Sequence, residues 1–238
     1  MPLHHAPVVS TCSALVVAAH PDDELLGCGG TIARMADEGW DVHVLILAEG
    51  ATSRDARRDR AGKADELSAL ETCAREASRI LGARSVRVHD FPDNRMDGVD
   101  LLDVIKVIEA AVARHRPQRV LTHHAADVNV DHGVLHDAVL AACRPQPGNG
   151  VRELLYFEVA SSTEWRGAHS GQAFTPSLYV DISTTLDRKL RALQAYASEM
   201  RSFPHARSVQ ALEHLARWRG ASVGCEAAEA FEIGRRIE

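Results

Sequence analysis

The sequence predicts a Rossmann-like, doubly wound α/β fold: a mostly parallel sheet flanked by helices, in a single domain over residues 1–238. Three observations predict it. Segments at 14–19, 42–48, 85–89 and 119–122 are uniformly apolar rather than alternating, as in strands buried on both faces. Helical apolar periods lie between them. Strand and helix alternate in an order that fits right-handed crossovers and a parallel sheet.

Each element has its own signal. Leu15-Val16-Val17-Ala18-Ala19 forms the first strand. In the helix over 29–39, Ile32, Met35 and Ala36 share an apolar face that ends at Gly39. After the strand at 42–48, a helix over 64–81 keeps the helical period through Leu67, Leu70, Ala74, Ala77 and Leu81, and Gly82 stops it. The strand at 85–89 leads to a helix over 100–115, capped by Asp100 and closed before Pro117. Beyond the strand at 119–122 the pattern loosens. Strands are expected at 154–159 and 178–182. An amphipathic helix over 186–200 ends before Pro204, and Ser208 caps a last helix that Gly220 ends. No repeat, low-complexity segment or linker divides the chain.

Composition narrows the function classes. Hydrophobic residues make up 45% and charged residues 25%, which excludes disordered and fibrous classes. A net charge of -6 argues against a nucleic-acid partner. The five cysteines are odd in number, widely spaced and without a Cys-x-x-Cys pair, which indicates a reducing compartment. Residues 1–11 lack a basic leader region, and the run at 14–19 is too short for a membrane helix. The expectation is a cytoplasmic protein with no membrane partner. The Arg-rich run at 54–60 alternates with acids and reads first as a solvated segment. The apolar stripe over 186–200 could serve a core or a second copy in a homo-oligomer.

The chemistry concentrates at two strand ends. His20-Pro21-Asp22-Asp23-Glu24 follows the first strand, and His123-His124 through Asp131-His132, with His136 beyond, follows the strand at 119–122. Open α/β sheets bind ligands at this edge. Crowded carboxylates need a cation. His20 and Asp23, three residues apart in a Pro turn, can reach one ion, and His132 can supply a third ligand, leaving the open position of a catalytic zinc site. Asp22 then lies beside the ion as general base. Asp131 suits an orienting role. Glu24 reads as a helix-start acid, and His123, His124 and His136, taken singly, as hydrogen-bonding residues. Gly27-Cys28-Gly29-Gly30 invites a dinucleotide reading, with Glu49 downstream. Ile32 stands where the third glycine belongs, and three carboxylates would repel a pyrophosphate, so the glycines read as close helix–sheet packing.

These residues carry a family resemblance. Ala19-His20-Pro21-Asp22-Asp23-Glu24 with Gly27-Cys28-Gly29-Gly30-Thr31, and Asn129-Val130-Asp131-His132, resemble the two motifs of the PIG-L/LmbE family of zinc-dependent N-deacetylases. Similarity continues through Arg75-Glu76, Ile80-Leu81-Gly82 and the stretch from Arg219 to Phe231, so it spans most of the chain. The family removes acyl groups, usually acetyl, from amino-sugar nitrogens. The resemblance implies one zinc ion per chain on His20, Asp23 and His132, Asp22 as base, a small N-acylated amino sugar as substrate, and substrate contact by Arg54. Many relatives open the second motif with His. Asn129 can donate a hydrogen bond to an oxyanion but cannot supply a proton. Either it does only that, or His123, His124 or His136 takes over the proton. Two alternatives stay open: an amidase of a thiol–sugar conjugate, and a non-enzymatic sugar- or nucleotide-binding module with structural histidines. Loops at 91–98 and 161–173 set the substrate, and Phe91 and Trp165 could stack on a sugar ring or pack in the core.

Overall fold

A computed structural model describes residues 12–167 and 173–238. The expectation for residues 1–11, and the part of the substrate loop at 168–172, lie outside the described residues. The strands are β1 (Ser13–Ala18), β2 (Asp41–Ala48), β3 (Ser85–Phe91), β4 (Arg119–His123), β5 (Glu153–Phe157), β6 (Leu178–Asp181) and β7 (Ala228–Arg236). The helices are α1 (Asp23–Asp37), α2 (Ala64–Leu81), α3 (Leu101–His115), α4 (Val130–Ala142), α5 (Leu186–Leu193) and α6 (Val209–Ala221).

The strands form one sheet in the order β3-β2-β1-β4-β5-β7-β6. The five strands from β3 to β5 run parallel, and β7 pairs antiparallel with both β5 and β6. Val16, Val44 and Leu121 pack on one face under α1, α2, α5 and α6; Leu15, Leu45 and Val120 pack on the other under α3 and α4. Burial on both faces is why β1 is apolar from Ala14 to Ala18. The expectation of a uniformly apolar strand at 85–89 does not hold: β3 lies at the sheet edge and alternates, with Ser85, Arg87 and Asp90 exposed and Val86 and Val88 packed against the core. The order reverses between β1 and β4, and a crevice opens there at the carboxyl ends.

Several expected boundaries hold because local chemistry sets them. Asp100 accepts from the Leu102 N–H at 3.0 Å, Ser208 accepts from the Ala211 N–H at 3.1 Å, and Gly82 closes α2 at φ 83°. Others move. The amphipathic stretch at 186–200 stays helical only to Leu193, then tightens into a 3-10 turn over Gln194–Tyr196. Its apolar spacing still serves the core, since Leu193 and Tyr196 are buried there. The last helix runs through Gly220 to Ala221.

Helix α1 begins six residues before the expected start, at Asp23, and is kinked at Cys28 (φ -148°, ψ 25°). The glycines around the kink admit close packing. A Cβ on Gly27 would overlap the Phe157 ring, and one on Gly30 would come within 2.7 Å of Ile182. An ion pair fills the broken turn. The Gly30 N–H donates to Glu229 Oε1 at 2.9 Å instead of to the Leu26 carbonyl, and Lys189 Nζ reaches that carbonyl at 3.1 Å. Glu229 also accepts from the Thr31 N–H at 2.7 Å and pairs with Lys189 at 2.6 Å. A buried ion pair thus replaces one rung of the helical ladder.

Candidate active site

The turn after β1 and the start of α4 after β4 face each other across the crevice. Asp22 caps α1 with φ 108°, a left-handed conformation that Asp tolerates better than most side chains. This turn brings His20 and Asp23 together: Asp23 Oδ2 accepts from the His20 N–H at 2.9 Å and lies 3.2 Å from His20 Nδ1. From α4, His132 Nε2 approaches the same oxygen at 3.2 Å. Donor atoms of His20, Asp23 and His132 all lie within 4.8 Å of one another.

A carboxylate backs each imidazole. His20 Nε2 stands 3.0 Å from Asp131 Oδ2, and Asp131 also accepts from the Asn94 and Met96 N–H groups at 2.7 and 2.8 Å. Asp131 therefore ties a histidine of β1's turn to the loop after β3. His132 Nδ1 lies 3.0 Å from Asp127 Oδ2. Asp127 also accepts from the Ser162 and Thr163 hydroxyls and the Asn129 N–H. Burial raises the Asp127 pKa, but the His132 contact and its other donors outweigh that and hold it at about 2. Burial likewise lowers His132, but Asp23 and Asp127 outweigh it and hold the imidazole at about 9.

Asp22 and Asp23 diverge. Burial and the neighbouring Asp23, Glu24 and Glu199 carboxylates push Asp22 well above the usual carboxylate range, against the pull of Arg207 at 3.3 Å. Asp23 is buried as well, but His132, His20 and His123 hold it well below that range. The two neighbouring carboxyls are thus pushed in opposite directions by their surroundings.

Asp22, Asp23, His20 and His132 line a cleft of about 390 Å³, with Arg54, Asn129 and Trp165 on its walls. Arg54 is ion-paired to Glu199 at 2.6 Å, while Arg58 and Arg60 of the same basic run fold onto Glu49. Trp165 is exposed in the cleft, whereas Phe91 packs against the core beneath α3. Asn129 Oδ1 accepts the Asp131 N–H at 2.9 Å as the cap of α4, and Asn129 Nδ2 donates to Asn94 Oδ1 at 2.9 Å. One amide proton remains.

The histidines offered as alternative proton donors do not line the cleft. His123 is buried behind His132, stacked on it at 3.9 Å, and its Nε2 accepts the Ala19 N–H. His136 bonds the His123 carbonyl at 2.9 Å, and His124 pairs with Glu232 at 2.6 Å. Other residues reach the site: Asp127 of the second cluster and Asp93 and Asn94 of the 91–98 loop, to which the sequence assigns no individual role, and Glu199, Arg201 and Arg207, which no sequence signal marks. Asp93 and Asn94 follow β3 at the same carboxyl edge, so the rule that flagged His20 could have flagged them. Arg201 and Arg207 sit in an irregular loop with no pattern to mark them.

The residues fit a divalent metal. Two imidazoles and a carboxylate form an ordinary zinc set with room for a fourth ligand. His132 Nε2 is buried and stands 3.2 Å from Asp23 Oδ2 without hydrogen-bond alignment, as expected for a nitrogen aimed at a shared ion.

Fold and site together define an α/β protein with a cluster of two histidines and one aspartate at the sheet's switch point that could hold a metal ion. The chain belongs to the GlcNAc-PI de-N-acetylase (PIG-L) family, whose model matches residues 15–143. That family is one of amino-sugar N-deacetylases, hydrolases of amide bonds. The uncharacterized deacetylase YaiS of Escherichia coli (strain K12) is 31% identical over 77% of this chain and 90% of its own. The probable N-acetyl-alpha-D-glucosaminyl L-malate deacetylase 2 of Bacillus cereus is 28% identical over 78% of this chain and 82% of its own. Among solved structures, GalB, the 4-carboxy-2-hydroxymuconate hydratase of Pseudomonas putida KT2440, superposes with a TM-score of 0.76 at 26% identity, covering 96% of this chain and 98% of its own. Among the described residues no helix is long and apolar enough to cross a membrane.

Proposed function

We propose that this protein is a zinc-dependent N-deacetylase that hydrolyses the N-acetyl amide of a small amino-sugar substrate. One observation carries the reading: donor atoms of His20, Asp23 and His132 converge within 4.8 Å, and Asp22 lines the same cleft. In this reading His20, Asp23 and His132 hold one zinc ion per chain. When bound, that ion supplies the Lewis acidity that polarises an amide carbonyl and acidifies a water molecule.

The chain's own residues do the rest. Asp131 and Asp127 fix the two imidazoles through the ring nitrogens opposite those facing Asp23. Asp22 takes a proton from the attacking water as the C–O bond forms. It returns that proton to the nitrogen as the C–N bond breaks, so acetate and a free amine leave. Arg207 holds Asp22 in position. Asn129 offers its remaining amide proton to the developing oxyanion, a donor of a kind worth about 3 kcal/mol elsewhere. Arg54 contacts the substrate from the rim. Since Asn129 carries no titratable proton and the three histidines lie elsewhere, Asp22 serves as both base and acid.

The test is metal analysis followed by a panel of N-acetylated amino sugars, free and conjugated, assayed for acetate. Zinc near one per chain, with acetate release lost to a chelator and regained with zinc, supports the reading. A chain that binds no metal, or releases no acetate from any member, sinks it. A thiol–sugar conjugate in the panel separates the amidase alternative. The likeness to GalB favours hydration of an unsaturated acid as a second reading. Loss of diene absorbance from 4-carboxy-2-hydroxymuconate, without acetate release from the panel, would establish that instead.

A further inference from the structure

We propose that His123 is a positioning residue for the metal ligands: its Nε2 anchors the turn that carries His20 and Asp23, and its ring face seats His132. The proposal rests on the metal-binding part of the deacetylase reading and deepens it.

The role begins where two strands part. β1 stays paired with β2 as far as Ala18–Ile46, and β4 with β5 as far as His123–Phe157. The mutual pairing of β1 and β4 runs only from Ala14–Arg119 to Val16–Leu121. Past that point, side chains of β4 bridge the widening gap. The Thr122 hydroxyl donates to the Val17 carbonyl at 3.0 Å, and the Ala19 N–H donates to His123 Nε2 at 2.9 Å. An imidazole reaches further than a main-chain carbonyl, so this bond spans strand ends that a ladder about 4.8 Å wide would not.

Ala19 immediately precedes His20, so the bond fixes the start of that turn. The same residue holds the opposite element. Its ring stacks on His132, with centroids 3.9 Å and planes 25° apart. Its carbonyl accepts from His136 Nδ1 at 2.9 Å, one turn further along α4. His123 thereby joins the turn after β1 to α4, the two elements that must bring His20, Asp23 and His132 to one ion.

Packing alone does not account for an imidazole here. The ring is fully buried, and because Nε2 accepts a main-chain N–H, the proton sits on Nδ1. Nδ1 has no hydrogen-bond partner among the described residues. A buried donor without a partner costs stability. Phenylalanine would stack on His132 without that cost, but it would leave the Ala19 N–H unpaired. With an imidazole the unpaired group lies on the ring, and Ala19 stays anchored.

The experiment uses the full chain, stripped of metal by a chelator and reloaded. Zinc affinity is read by chelator competition, and ligand geometry by the visible absorption of the cobalt(II)-loaded chain. His123→Phe keeps a stacked ring and removes the acceptor. His123→Gln keeps an acceptor and removes the ring, and His123→Leu removes both. Zinc affinity is expected to fall about tenfold in His123→Phe and further in His123→Leu, with altered cobalt bands in both. His123→Gln should recover part of the loss seen in His123→Leu. A merely structural residue would lower the unfolding temperature of the metal-free chain and leave zinc affinity and the cobalt spectrum alone. Affinity and spectrum unchanged in His123→Phe overturn the proposal, and so does His123→Gln binding zinc no better than His123→Leu. Should His123→Leu not fold, the result for His123→Phe decides. A parent chain that binds no zinc removes the metal reading, and this proposal with it. A parent that binds zinc but releases no acetate removes only the deacetylase reading.

Discussion

The ion pair inside helix α1 yields a quantitative prediction. Lys189→Met removes the only cation bonded to the Glu229 carboxylate among the described residues, and both side chains are 4% exposed. The carboxylate keeps its two N–H donors from Gly30 and Thr31 but loses its counter-charge, and the Leu26 carbonyl loses its donor. Breaking a buried pair from one side costs about 3–5 kcal/mol, because an uncompensated charge stays behind. For a chain of this size that corresponds to a fall in Tm of about 6–20 °C. Urea and thermal unfolding followed by circular dichroism would measure it. Glu229→Gln should also destabilise. The double variant Lys189→Met, Glu229→Gln should lose less than the two single losses added together, since neither charge remains to be stranded. A loss below about 1 kcal/mol for Lys189→Met, or simple additivity in the double variant, would refute the argument.

Three further outcomes are expected. Asp22→Asn should retain its metal yet lose turnover by about 10²–10⁴-fold, read by zinc content and acetate release together; wild-type turnover would remove Asp22 as base. Asp127→Asn should weaken zinc binding by about 10–100-fold in a chelator competition, because His132 loses its orienting partner; unchanged affinity would show that Asp127 serves only the loop. Burial raises the Glu24 pKa from 4.5 to about 7, despite the Tyr196 hydroxyl donating to it. The folded state therefore binds more protons at Glu24 than the unfolded state, and Glu24's contribution to the stability of the metal-free protein should fall as pH rises between about 4.5 and 7, by about 3 kcal/mol in all. Glu24→Gln should flatten that slope in urea titrations at several pH values; a slope unchanged in the variant would clear Glu24 of the effect.

What could be read in advance depended on whether one residue's surroundings repeat along the chain. The central strand β1 and most of β2 could be read because burial on both faces leaves Ala14–Ala18 and Val44–Ala48 apolar, whereas edge strand β3 alternates and shows only Val86 and Val88 to the core. Helices α2, α3 and α6 could be read because their ends carry their own caps, Gly82, Asp100 and Ser208. The sequence pattern does not show helix α4: Val130–Ala142 interleaves Asp131, His132 and His136 with apolar residues, and all three polar side chains are buried. Strand β7 escaped because Ala228-Glu229-Ala230 presents small residues and a buried acid whose partner, Lys189, lies forty residues away. The early start of α1 was hidden for a related reason, since its kink is stabilised by groups on α5 and β7. At the site, His20, Asp23 and His132 could be read because each follows a strand at one edge of the sheet. Arg201 and Arg207 could not, since an irregular loop has no period and only tertiary contacts bring it to the cleft.

The division of labour between Asp22 and Asp23 follows from one backbone angle. Neighbouring carboxylates in a regular turn would share surroundings and shift together. At φ 108° Asp22 is turned towards Arg207 and Glu199, while Asp23 meets His20, His123 and His132. A positive φ costs most side chains about 1–2 kcal/mol, and Asp and Asn bear it with least penalty. Glycine would accept the angle but bring no carboxylate, and glutamate would bring a carboxylate but resist the angle. Aspartate meets both demands. That is also why Asp22→Asn is the informative substitution: it keeps a side chain that tolerates the left-handed turn, so the positions of His20 and Asp23 are preserved while the carboxylate is lost. A loss of turnover with metal retained in that variant can then be assigned to chemistry at position 22 and to no rearrangement of the turn.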